Sequence, residues 1–232
     1  MSTFLANLKW EFTLLQKNNI ISISLAVTAI YGLILYLLKG VGSLDKVLVG
    51  LVLNDPSVIG YFFVALAIYT EIKHDILPAI FVSPQDSHRF ILSKTLAISL
   101  VGWVCSLGLA LLVKGLDFDI LHYSVGAFGI CLLSALLGVM MLTFADEFLK
   151  FALLSIPLFL PFINLSLLQY LGAMDMGFVK YFLPIQGCLD LIDHAVSGTP
   201  INFWYAYGSI VVLVPLFYYF AYRLFTERVV RQ

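Results

Sequence analysis

Few side chains in this sequence have the types and spacing that chemistry needs. The run DLIDH, residues 190–194, offers two carboxylates and an imidazole within five positions, donors that suit a divalent metal. No second cluster lies near it in the sequence, so it reads as an exposed helix face. Asp146 and Glu147 would form a proton site inside a bilayer, where ionisable side chains mark function. They stand at a turn beside Lys150, which places them at the headgroups instead. Tyr61, Tyr69, Asn164 and Gln169 are uncharged polar residues within or beside long apolar runs. They read either as hydrogen-bonding glue between helices or as the lining of a substrate path. The chain has no GxxxxGK[ST] phosphate loop, no HExxH motif, no paired cysteines and no nucleophile elbow. These absences leave no residues for ATP binding of the usual kind or for hydrolytic catalysis, and no cofactor is expected on the chain.

The elements around these residues follow from composition. Of 232 residues, 61% are hydrophobic and 12% charged, against about 25% charged in a soluble domain. So few charges cannot cover a water-facing surface, and an integral membrane protein follows. The net charge of −1 gives no reason to expect nucleic acid. Cys105 and Cys131 fall in apolar runs and Cys188 in a loop, so no disulfide framework is expected.

Six apolar runs read as spans: residues 20–38, 57–70, 90–113, 123–145, 151–171 and 203–225. About 20 helical residues cross a hydrocarbon core of roughly 30 Å. The second run is short. Asp55-Pro56 suits its start, as N-cap and first helical residue, and residues 47–53 are open to a re-entrant turn. On these boundaries the cores of the spans hold no charge, which argues against an ion-coupled carrier. Small residues at four-residue spacing, Gly102, Ser106 and Ala110 in the third span and Ser134 and Gly138 in the fourth, permit close helix contact. Pro157 and Pro161 bracket a bend in the fifth span.

Six crossings put both termini on one side. That side carries Lys9, Lys17, Lys73, Arg89, Lys94, Lys150, Arg223, Arg228 and Arg231, against Lys39, Lys46, Lys114 and Lys180 on the other. The excess of positive charge makes it the cytoplasmic side of a multi-pass plasma-membrane protein. Residues 2–17 form an interfacial amphipathic helix, with Phe4, Leu5, Leu8, Phe12 and Leu15 on one arc. Residues 172–202 are too apolar for a solvated loop and too broken by Gly and Pro to span. Short re-entrant helices dipping into the outer leaflet fit them. The fold class is therefore all-α and polytopic, a single transmembrane domain over residues 1–232.

One long polar stretch interrupts the pattern, EIKHDILPAIFVSPQDSHRFILSK at residues 71–94. Its charges surround an apolar group, Ile76, Leu77, Ile80, Phe81 and Val82, of the kind that marks a partner surface. Pro78 limits any helix in its first half. Ser83 as N-cap, Pro84 as first helical residue and Asp86 at the third position start a helix that runs into the third span.

A glutamate after the second of six spans, an apolar centre, Ser-Pro and a lysine opening the third span together resemble an ABC-2 type transporter permease. Within that family NDPSVIGYFF, FVSPQDSHRFILSK, DEFLKFALLSIPLF and FLPIQG are most similar to small permeases named fluoroquinolone exporters. The match departs at Asp75-Ile76, where many members carry Gly-Thr. The resemblance implies that residues 71–89 are a cytoplasmic coupling helix. Glu71, Asp75, Ile76, Leu77, Pro78, Ile80, Phe81, Ser83 and Pro84 would dock on a separate ATP-binding subunit. It also implies two such subunits, which carry ATP and Mg, and a second permease, identical or not. The substrate path would lie between the permeases, lined by the first, second and fifth spans, with Tyr61, Tyr69, Asn164 and Gln169 as its polar residues. The chain itself would not be an enzyme, and its cargo would be a hydrophobic drug, lipid or peptide. The rival classes are a polytopic membrane enzyme and an ATP-independent scaffold.

Overall fold

The computed structural model describes residues 3–38, 44–74 and 87–230. The described residues are helical apart from short connections. In chain order they form α1 (Thr3–Lys17), α2 (Ile20–Leu38), α3 (Asp45–Lys73), α4 (Ser87–Lys114), α5 (Ile120–Leu142), α6 (Phe148–Tyr170), a 3₁₀ turn (Gly177–Phe182), α7 (Gln186–Ser197) and α8 (Phe203–Phe225). A π turn, Thr226–Val230, continues α8. Helices α2 to α6 and α8 are long and apolar enough to cross a membrane, and the protein is an all-helical, polytopic membrane protein.

Apolar side chains gain little by leaving lipid for one another, so packing and hydrogen bonds must hold the bundle together. The centre is α5, which packs on α3, α4, α7 and α8. The small residues seen in the sequence sit at these contacts. A side chain added at Gly60 would collide with the Cys131 backbone, and one at Gly138 with the Tyr61 backbone, so α3 and α5 cross almost backbone to backbone. Gly102 faces the Cys131 thiol from α4. At the margin the pattern reverses: 72% of the α5 span is buried, but only 11% of the α8 span.

The bundle has two distinguishable ends. At the terminal end, Lys94 near the start of α4 meets Glu11 of α1 and Glu71 of α3, and Phe90 stacks on Phe225 of α8. At the distal end, Lys114 pairs with Asp45 at 2.8 Å, and Tyr170 donates to Asp193 at 2.9 Å. Asp119 caps α5 there, accepting from the Leu121 and His122 amides.

Two expectations are corrected. The second span is not a short helix starting at Asp55-Pro56 after a re-entrant turn. It is one helix of 29 residues, with Pro56 inside it and a π turn over Ile59–Phe63. Proline removes an amide, and side chains bond neighbouring carbonyls: Asn54 donates to Gly50 and Ser57 to Leu53. Packing of Val49, Val52 and Leu53 against the bundle carries the helix through a local start signal. Asp55 therefore lies within a span, and the span cores are not free of ionisable groups. Cys188, placed in a loop by sequence, is fully buried in α7. Positions 188, 191, 192 and 195 form a helical apolar stripe, and α7 lays it on α5. Short helices between the fifth and sixth spans are present as expected, as the 3₁₀ turn and α7. The helix expected from Ser83 is described from Ser87 onward; residues 75–86 lie outside the described residues.

Candidate functional site

The terminal end holds the densest buried charge among the described residues. Lys94 Nζ donates to Glu11 Oε2 at 2.8 Å and to Glu71 Oε1 at 2.7 Å. The three side chains are 1%, 5% and 4% exposed. Local sequence explains how they meet. Glu11 falls on the apolar arc of α1 between Leu8, Phe12 and Leu15, so the helix that buries those residues buries it too. Glu71 is in the last turn of α3, and Lys94 two turns into α4. Removing such charges from water costs several kcal/mol per ion, offset only by good mutual geometry. Two carboxylates against one ammonium leave a formal excess of one negative charge when all are ionised. Glu71 Oε2 has no partner among the described residues.

Aromatic contacts extend this joint to α8. The Phe90 ring lies 5.0 Å from Lys94 Nζ and stacks on Phe225 at 5.7 Å. His88 stacks on Tyr222 with ring centroids 3.6 Å apart, and its Nδ1 lies 3.0 Å from the Tyr218 hydroxyl. Glu71 and Lys94 are the first and last residues of the polar stretch, so their contact ties its two stems together. Movement of one stem must displace α1, α3 and α4 jointly or break buried ion pairs.

Of the expected coupling residues, Glu71 is described and sits in this joint. Asp75, Ile76, Leu77, Pro78, Ile80, Phe81, Ser83 and Pro84 lie outside the described residues. The four polar residues assigned to a path do not form one cluster. Tyr61 is fully buried and donates to Ser155 Oγ of α6 at 2.7 Å, packed among Phe62, Phe151 and Phe159. Tyr69 donates to the carbonyls of Leu142 and Ala145 at 3.1 and 2.7 Å, holding α3 to the end of α5. Asn164 is half-buried on α6. Gln169 accepts from the Met176 amide at 2.6 Å and caps the chain leaving α6.

The acidic runs are also separated. Asp146 pairs with Lys150 at 2.8 Å in the turn before α6, and that ammonium holds its carboxyl below the usual range. In DLIDH, Asp190 accepts from Gln186, Asp193 from Tyr170, and His194 Nδ1 contacts the Thr199 carbonyl. Burial pushes the Asp190 carboxyl up, and the Gln186 bond opposes that. Among the described residues no three His, Cys, Asp or Glu side chains are grouped to hold a metal.

Sequence reasoning missed Glu11 and Asp55. The signal for Glu11 was a charge on the buried arc of an amphipathic helix. For Asp55 it was an acid flanked on both sides by apolar segments. No family model and no curated protein sequence matches this chain.

Proposed function

We propose that the chain is the membrane-spanning permease subunit of an ABC-2 type transporter, with residues 71–89 as the segment gripped by a separate ATP-binding subunit. The observation that carries this reading is the buried Glu11–Lys94–Glu71 joint. A plain connecting loop has no need of buried ions at its stems, and a lever does. Force applied to the segment would enter α1, α3 and α4 together through this contact. The charge asymmetry supports a cytoplasmic terminal end. Weakly buried α2, α6 and α8 leave apolar surface for lipid and for a second permease copy. Two ATP-binding subunits would supply ATP hydrolysis, switching the pair between states. A hydrophobic compound would be the cargo.

The test is Phe81→Asp. A phenylalanine seated in a groove contributes about 1.5–3 kcal/mol when fully buried, and a carboxylate there adds a desolvation cost. Docking should weaken by roughly tenfold to several hundredfold, since 1.4 kcal/mol is tenfold. The experiment quantifies ATP-binding subunit co-purified with the permease, and ATP turnover of the reconstituted complex. Lost partner with a stable permease supports the reading; normal recovery and normal turnover overturn it.

A further inference from the structure

Asp55 is the most anomalous residue of the membrane region. It is 7% exposed and stands ten residues after Asp45 in a helix whose other end is Lys73. At 1.5 Å per residue it lies about 15 Å along the helix, roughly 6 Å from the helix midpoint. Among the described residues its Oδ2 has no hydrogen-bond partner and it joins no ion pair.

Among the described residues no Lys or Arg pairs with it. Its helix packs on α4, which carries the buried Cys105, and on α5, which carries the buried Tyr123 and Cys131. Tyr123 spends its hydroxyl proton on the Ser106 carbonyl at 2.6 Å. The Cys131 thiol donates to the Ile98 carbonyl. The ionisable groups of α7 and α6 are engaged elsewhere: Asp190 with Gln186, Asp193 with Tyr170, His194 with Thr199. Lys114, a cation of this bundle half, is held by Asp45. Pro56, the next residue, and the π turn over Ile59–Phe63, one turn on, interrupt the regular ladder. Such interruptions recur at functional sites.

An ionised carboxylate buried without a partner is so costly that such groups neutralise instead. We infer that Asp55 is a proton-binding site inside the membrane, holding its proton while α3 is packed against α4 and α5 and releasing it when water enters that contact. A conformational change that opens the contact is thereby linked to proton release. This stands apart from the permease reading and holds or fails whatever partner drives the chain.

Two measurements on the purified full chain in detergent test it, with Asp55→Asn as the neutral isostere. First, wild type should show a carboxylic-acid C=O infrared band at neutral pH that Asp55→Asn lacks and Asp55→Glu shifts. Second, unfolding of wild type should release one proton more than unfolding of Asp55→Asn, because an exposed aspartate gives up its proton near pH 3.9. The unfolding constant of wild type should therefore rise, relative to Asp55→Asn, by up to tenfold per pH unit as pH is raised from 5. Should Asp55→Asn fail to fold, the band and its shift in Asp55→Glu decide. Absence of the band, or wild type and Asp55→Asn running parallel with pH, overturns the inference.

Discussion

Lys94 is held by two carboxylates from helices remote in sequence, so its removal leaves both acids buried and facing each other. Lys94→Met should cost about 3–5 kcal/mol, the range for breaking a buried pair by deleting one partner, read as a lower midpoint of thermal unfolding in detergent. Adding Glu11→Gln should restore part of the loss by removing one uncompensated charge. A loss under about 1 kcal/mol, typical of exposed pairs, would mean that headgroup water reaches the joint. Tyr69 donates to two carbonyls through one hydroxyl. Tyr69→Phe should cost about 1 kcal/mol with the ring contacts kept. Polar side chains of this kind were visible in the sequence, but their partners were not: a tyrosine in an apolar run looks the same whether it bonds a neighbouring helix or faces a pathway.

The crossing of α3 and α5 depends on what Gly60 and Gly138 lack. Gly138→Leu would drive a side chain into the Tyr61 backbone. Because backbone cannot yield as a side-chain tip can, overpacking should cost at least 1–3 kcal/mol. Asp119 gives a milder, pH-readable case. The His122 amide and imidazole hold its carboxyl below the usual range. A depressed acid stabilises the fold above its unfolded value, near 3.9, and the benefit disappears as pH falls through the folded value. Asp119→Ala should cost about 0.5–2 kcal/mol at neutral pH and progressively less in acid; an equal deficit at pH 3 and pH 7 would discount the cap. Boundaries of α2 and α8 were legible because uninterrupted apolar runs begin and end there. The start of α3 was not, since Asp55-Pro56 signals a helix start locally while burial of the preceding turns lies in contacts that one sequence does not display. The joint at Lys94 was half legible: the lysine opening the third span stood out, but Glu11 was hidden among residues that read only as an apolar face.

For the whole molecule, burial decides how orientation is measured. All three native cysteines are buried, so position 188 cannot report on the distal end and introduced thiols can. Phe178 is 73% exposed at the distal end, and Asp146 lies exposed in a turn at the terminal end. An impermeant thiol reagent applied to intact cells should label Phe178→Cys and spare Asp146→Cys until the membrane is opened. The reverse pattern would invert the proposed topology and remove the cytoplasmic placement of residues 71–94.

The π turn in α3 also sets an angular phase. Sixteen residues separate Asp55 from Glu71, and in a regular α-helix they would point about 160° apart. The wider turn over Ile59–Phe63 takes up roughly one extra residue. The two acids then point within roughly 60–70° of each other, both toward the bundle. A regular helix of the same residues would swing one acid out of the protein, whereas deleting one residue from 59–63 would leave fifteen regular steps, about 60°, and keep both acids aimed inward.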